Sequence, residues 1–208
     1  MDNKKFATDQ EGFWAGEFGD EYINRNKTDS LLASNINFFS KSLARTDQIK
    51  SCIEFGANIG MNLRAIKMLY PKIHLNAIEI NKTASQQLTS FIDKKSVFTG
   101  SIFNYEISQK FELVLIKGVL IHINPNKLDE VYKKLYESSS RYILIAEYFN
   151  PSPVEVNYRG HTDRLFKRDF AGDILDKYPE IKLLDYGFSY HRDSHFPQDN
   201  ITWFLLKK

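Results

Sequence analysis

The sequence predicts an α/β fold: one mainly parallel, seven-stranded sheet that ends in an antiparallel hairpin and carries a helical cap at its N-terminal side. Three observations point there. From residue 51 to residue 146, short apolar runs alternate with stretches of helical period, and such alternation builds a parallel sheet with helices on both faces. Two last strand-like runs, 181–190 and 201–206, have no helical pattern between them, so they are expected to pair antiparallel. Everything before about Thr46 has helical rather than strand character.

Taken in order, Phe13, Trp14, Phe18, Tyr22 and Ile23, then Leu31, Leu32, Ile36, Phe38 and Phe39, fall at spacings that fit two or three short amphipathic helices packed on a larger body. Residues 51–55 read as a strand. Residues 58–70 read as a helix with Leu63, Ile66 and Leu69 on one face, stopped by Pro71. A strand over 74–80, a helix over 82–94 and a short strand at 97–98 follow. Residues 111–116 are strongly apolar, as a parallel strand covered on both faces should be. A helix over 126–138 turns Leu128, Val131, Tyr132 and Leu135 to the core, and 142–146 is another apolar strand. Residues 150–167 read as a long loop, and 168–178 as a helix. No repeat or linker interrupts the chain. One domain is therefore expected over 1–208, with a helical cap over 1–46 and a Rossmann-like core over 47–208.

Composition excludes several classes of function. The 208 residues suffice for one domain with a real core. The net charge is +2, with both signs interspersed, which argues against a nucleic-acid stripe or a membrane-surface patch. The single cysteine, Cys52, excludes an internal disulfide and a Cys-based zinc site. The histidines lack metal-ligand spacing, so no metal is expected. No secretion signal is visible, and the apolar stretch 113–123 is interrupted by Lys117 and too short to span a bilayer. A soluble, cytoplasmic protein is expected.

The chemistry starts at Gly56 and Gly60, which follow the first strand and open a helix. A tight strand-to-helix turn needs residues without a Cβ, and its exposed N–H groups attract a negative group. A dinucleotide fingerprint would place glycine at positions 58 and 61. Those positions hold Asn58 and Met61, whose side chains obstruct a pyrophosphate. The looser acidic-x-Gly-x-x-x-Gly spacing resembles the first motif of S-adenosylmethionine-dependent methyltransferases; a plain structural turn is the alternative. Glu79 ends the next strand at about the 20-residue interval that sets a carboxylate against ribose hydroxyls, the alternative being a solvated strand-end Glu. Ile80 and Ile102 are natural walls for an adenine, with Ser101 beside them. Lys117, Gly118 and Val119 follow the fourth strand at the crevice where α/β sheets bind ligands.

The chain also resembles a known family, the pseudaminic acid biosynthesis-associated methylases, a bacterial group of S-adenosylmethionine-dependent methyltransferases. The resemblance covers nearly the whole chain. It rests on Phe13-Trp14-Ala15-Gly16-Glu17-Phe18-Gly19 with Tyr22, Arg25 and Asn26, and on Glu54-Phe55-Gly56-Ala57-Asn58-Ile59-Gly60-Met61-Asn62. It continues through Lys117-Gly118-Val119-Leu120-Ile121-His122-Ile123-Asn124-Pro125, Glu147-Tyr148 and Tyr158-Arg159-Gly160-His161. Leu165 to Ala171, His191-Arg192-Asp193 and Asp199 to Phe204 complete it.

The resemblance implies that Glu54, Gly56, Asn58 and Gly60, with Ala57 and Asn62 in the same motif, line the methionine part of the cofactor. It places Glu79 at the ribose and Ser101 and Ile102 at the adenine. Trp14 would belong to a lid, or only to the packing; Arg25 would pair with the cofactor carboxylate, or lie on the surface. The acceptor it implies is a small molecule, a nonulosonic sugar acid or its nucleotide-activated form, methylated on oxygen or nitrogen. A hydroxyl acceptor needs a general base. His122 is one candidate, its alternative being a histidine packed beside the adenosine or capping the next helix. His161 is the other, with Tyr158, Arg159 and Asp163 around it, and there the alternative is an ion-pair network that holds the loop down. Arg159 suits a carboxylate or phosphate. Two rival readings stay open: a methyltransferase for another metabolite, and a non-catalytic protein that binds the cofactor. A nucleic-acid adenine methylase is disfavoured, because Lys117-Gly118-Val119 replaces the Asn- or Asp-Pro-Pro-aromatic motif expected after the fourth strand.

Overall fold

A computed structural model of the chain describes residues 6–23, 28–158 and 160–208, with His161 described by its backbone alone. Three helices come first: α1 (Asp9–Ala15), α2 (Glu17–Ile23) and α3 (Asp29–Ser42). Thr8 and Thr28 start α1 and α3, each accepting a hydrogen bond from the backbone three residues on, the usual way to satisfy orphaned N–H groups. Strands and helices then alternate: β1 (Ser51–Phe55), α4 (Met61–Leu69), β2 (His74–Glu79), α5 (Lys82–Leu88), β3 (Val97–Thr99), β4 (Phe111–Lys117), α6 (Leu128–Ser138) and β5 (Ser139–Glu147). After β5 come β6 (Val154–Tyr158), β7 (His161–Lys167), α7 (Phe170–Lys177), β8 (Lys182–Ser189) and β9 (Ile201–Lys207).

Seven strands form one sheet in the order β3-β2-β1-β4-β5-β9-β8, parallel except for β9, which runs antiparallel to both neighbours. The period of two along each strand splits the core into two layers. Cys52, Leu113, Leu115 and Leu144 face Phe38 and Phe39 of α3 and Leu63 and Ile66 of α4. Ile53, Phe55, Val114, Ile116, Ile143 and Ile145 face Val131 and Leu135 of α6 and Ile174 of α7. The central strands are therefore buried on both sides, which explains their largely apolar runs. From the centre the chain winds outward one way through β2 and β3 and the other way through β4 and β5. The switch falls between β1 and β4, and a crevice opens outside their carboxyl ends.

Three expectations are corrected by local chemistry. The loop over 150–167 is mostly a second, two-stranded antiparallel sheet, β6–β7. Val154, Val156 and Tyr158 alternate with polar residues, Gly160 turns at φ 85°, and Leu165 is buried, so a hairpin signal was present. The helix expected from residue 58 begins at Met61, because Asn58 and Gly60 hold left-handed conformations. The helix expected to reach residue 94 stops at Leu88. The hydroxyls of Thr89 and Ser90 donate to the carbonyls of Gln86 and Gln87, competing with the helix ladder, and the turn that follows carries Ile92 into the core. No helix among the described residues is long and apolar enough to cross a membrane.

Candidate active site

β1 delivers the chain to the switch point, and residues 56–60 must turn back at once to start α4. Gly56 (φ 77°), Asn58 (φ 48°) and Gly60 (φ 81°) are all left-handed, a conformation that glycine adopts freely and that Asn tolerates better than other side chains. The N–H groups of Gly56 and Ala57 both donate to the carbonyl of Ile78, at 2.9 and 3.0 Å, which staples the loop to β2. A Cβ on Gly56 would lie 2.6 Å from a methyl of Val119, so the loops after β1 and β4 touch at that glycine.

Glu79 ends β2 beside this loop and is 6% exposed, far from a solvated strand-end residue. Its Oε2 accepts from the N–H of Asn58 at 2.6 Å and its Oε1 from the N–H of Asn81 at 2.7 Å. Burial pushes its carboxyl up, against the pull of these N–H groups in the other direction. Asn81 extends the network: its Nδ2 donates to Asp20 of α2 at 2.9 Å and its Oδ1 caps α5. The cap is thereby tied to the cavity wall. Ile80, Ser101 and Ile102 line the cavity next to Glu79, with Ser101 Oγ accepting from the N–H of Phe103.

Glu54 takes a different place. It is fully buried and lies outside the cavity lining, with Oε1 accepting from Nδ2 of Asn62 at 2.6 Å and Oε2 without a partner among the described residues. Burial pushes its pKa up to about 8. Glu147, at the end of β5, accepts the N–H groups of Val119 and Leu120 on one oxygen, at 2.9 and 2.8 Å, and so sets the path of the loop after β4; burial pushes it up to about 7. Both folded-state values lie above the ordinary 4.5. Their contribution to stability is therefore complete below about pH 4.5 and is lost as pH rises through 7 to 8. The expected result is a stability that falls between about pH 4.5 and 8 and levels off above, by up to about 1.4 kcal/mol per pH unit for each group until its folded value is passed, or roughly 2–4 °C per kcal/mol in melting temperature. Glu54→Gln, which keeps an acceptor for Asn62, flattens that slope; an unchanged slope in calorimetric scans would contradict the assignment.

An aromatic wall lines the same cavity as Glu79. Trp14 of α1 packs on His122 (ring centroids 4.6 Å apart) and on Tyr22 (5.3 Å), while His122 also meets Tyr158 of β6 (5.2 Å). Trp14 Nε1 is buried without a partner among the described residues. Nδ1 of His122 lies 2.6 Å from the carbonyl oxygen of Arg164. A carbonyl only accepts, so Nδ1 carries the proton and Nε2 keeps the lone pair. Burial pushes the imidazole down to about 4, and a base with so acidic a conjugate acid draws weakly on a hydroxyl proton. Geometry and charge thus favour a packing role for His122.

The whole cavity measures about 640 Å³. Lys117, Gly118 and Val119 line it after β4, together with Tyr148 after β5 and Gln198 and Asp199 before β9. The Tyr148 hydroxyl donates to Asp199, which helps burial push the phenol up. Burial lowers the Lys117 ammonium, and Glu54, Asp199 and Glu147 pull it back up. Gln198 Nε2 donates to Oδ1 of Asn35, locking this end onto α3.

Of the residues singled out from sequence, Trp14, Gly56, Ala57, Asn58, Asn62, Glu79, Ile80, Ser101, Ile102, His122 and Tyr158 share the cavity with Lys117, Gly118 and Val119. Gly60 starts α4 behind it, against Leu88 and Phe91. Asp163 is exposed at φ 57° outside the lining, its carbonyl accepting from Gln10. Arg25, Arg159 and the His161 side chain lie outside the described residues. Asn35, Tyr148, Gln198 and Asp199 were not singled out as site residues. The resemblance quoted Tyr148 and Asp199, but no local pattern marks them for a cavity. No group of three or more His, Cys, Asp or Glu among the described residues could hold a metal ion.

No family model matches the chain, and no curated protein matches it by sequence. Solved structures do. An S-adenosylmethionine-dependent methyltransferase from Leishmania major superposes with a TM-score of 0.68 at 13% identity, over 97% of this chain and 87% of that one. Another from Archaeoglobus fulgidus gives 0.67 at 11% identity, over 92% and 100%. The chain has the methyltransferase fold. The plantazolicin methyltransferase BpumL, solved with S-adenosylhomocysteine, gives 0.64 at 14% identity, over 96% and 93%.

Proposed function

We propose that this chain transfers a methyl group from S-adenosylmethionine to a small-molecule acceptor. The observation that carries the reading is Glu79, a buried carboxylate that orders the glycine loop at the switch-point crevice. Its oxygens accept backbone N–H groups, and a carboxylate has further lone pairs that ribose hydroxyls can use. The remaining fit is consistent. Ile80 and Ile102 offer apolar walls to an adenine. Asn58 Oδ1 and Trp14 Nε1, buried and unpartnered among the described residues, offer an acceptor and a donor to the cofactor's polar groups. The cavity volume lies in the range of ligand sites. When bound, the cofactor supplies an activated methyl group. The chain supplies orientation, exclusion of water by α1 and α2, and a route for the acceptor's proton.

The acceptor in this reading is a nonulosonic sugar acid of the pseudaminic type, or its nucleotide-activated form, handled in the cytoplasm. Support comes from the sequence resemblance and from the lining, in which Asn35, Gln198, Asp199 and Tyr148 can hydrogen-bond a polyhydroxylated ring and Lys117 can face its carboxylate. The test is incubation of purified protein with methyl-labelled cofactor and nucleotide-activated pseudaminic acid, alongside thermal shifts. Label transfer and stabilisation by S-adenosylhomocysteine are expected. Stabilisation without transfer would remove the sugar assignment, and stabilisation by NADH in place of S-adenosylhomocysteine would remove the cofactor.

A further inference from the structure

β9 runs antiparallel to β5 and pairs with β8, so the connection over 190–200 lies at the carboxyl end of β5. His191 of that connection lines the cavity with Gln198 and Asp199. One atom, Oδ1 of Asn200, accepts the backbone N–H of His191 at 3.1 Å and stands 2.8 Å from its Nδ1. A backbone N–H can only donate, so the Asn200 atom facing it is the amide oxygen. That oxygen can only accept, so Nδ1 of His191 carries a proton. In the neutral ring the lone pair is then left on Nε2.

We propose that His191, held in this tautomer by Asn200, is the general base for a hydroxyl acceptor bound between Tyr148, Asp199 and Lys117. The inference rests on the methyl-transfer reading and deepens it by assigning the acceptor atom as oxygen. The acceptor oxygen forms its bond to the methyl carbon as the carbon–sulfur bond breaks and its electron pair returns to sulfur. The hydroxyl proton passes to Nε2 of His191. An orienting acceptor behind a catalytic imidazole is the arrangement that fixes the tautomer in nucleophile-activating triads, and Asn200 supplies it here. His122 has an equivalent tautomer, but it is packed among Trp14 and Tyr158 in a setting that keeps it a weak base. Tyr190 meets the exposed imidazole of His191 edge-on at 5.0 Å, and Asp199, which lines the same cavity, accepts from Tyr148 and faces Lys117.

Two measurements on the full chain test the assignment. Nitrogen-15 spectra of the histidine side chains, recorded where the ring is neutral, should show His191 protonated on Nδ1 and bare on Nε2, and Asn200→Leu should move the proton toward Nε2. A wild-type ring protonated on Nε2 overturns the proposal. With nucleotide-activated pseudaminic acid as acceptor, His191→Gln should lower kcat by about 10²–10⁴-fold while its affinity for S-adenosylhomocysteine stays that of the wild type. A rate within about threefold of wild type overturns it. A wild-type protein that binds S-adenosylhomocysteine but leaves this sugar unmethylated removes the sugar assignment instead, and the nitrogen-15 result then decides on the pair by itself.

Discussion

Glu79→Ala will weaken binding of S-adenosylhomocysteine by about 10²–10³-fold, read by titration calorimetry. The side chain has two roles that fail together. Its two oxygens receive the N–H groups of Asn58 and Asn81, and truncation leaves both donors buried without an acceptor, at about 1–3 kcal/mol each. Asn58 belongs to the glycine loop, and Asn81 carries the link to Asp20, so the loss loosens both the floor and the cap of the cavity. Glu79→Gln separates this account from a simpler one. A glutamine has one carbonyl oxygen, so its amide nitrogen must face one of the two N–H donors. The variant should therefore bind almost as poorly as Glu79→Ala. If the carboxylate served only ribose hydroxyls, Gln would retain much of the affinity. Binding by Glu79→Ala within about threefold of wild type would show that the site lies elsewhere.

The carboxylate was legible in sequence because interval and position identify it: a strand ends at Glu79 soon after a glycine turn. The central strands were legible for a related reason. β1, β4 and β5 are covered on both faces, and burial of that kind writes largely apolar runs into 51–55, 111–117 and 142–146, broken by Ser51, Glu54, Glu112 and Lys117. Features set by tertiary contact were harder to read. No Pro or Gly stops a helix at Leu88; the stop comes from two hydroxyls turning back on the chain and from Ile92 finding the core. The β6–β7 hairpin carries alternation, but its strands are mostly exposed and short, so the apolar contrast is weak. The acceptor end of the cavity was least legible. Asn35, Tyr148 and the pair His191 and Asp199 come from three separate segments, and only the antiparallel return of β9 along β5 brings the last two over the crevice. Residues of that kind have no shared spacing to find.

The glycine loop gives the second large effect, this time on stability. Gly60→Ala will destabilise the fold by about 2–5 kcal/mol, measured by urea unfolding. The sum has two parts. Gly60 starts α4 at φ 81°, where an alanine costs about 1–2 kcal/mol. Its Cβ would also lie 2.6 Å from Cδ2 of Leu88 and 2.6 Å from Cζ of Phe91, and overpacking of this degree adds about 1–3 kcal/mol. Neither neighbour can simply rotate away. Leu88 is fully buried in the layer under α4, and Phe91 lies beneath the Arg64 guanidinium at 3.9 Å. Leu88→Ala in the same chain should relieve the steric part but not the backbone part. The double variant should therefore be less destabilised than the sum of the singles by about 1 kcal/mol or more, a coupling expected only for residues in contact. Additive effects would mean that Leu88 does not hold this glycine. A Gly60→Ala loss under about 0.5 kcal/mol would mean that the loop does not turn left-handed there, and the placement of Asn58 against Glu79, on which the cofactor reading stands, would fall with it.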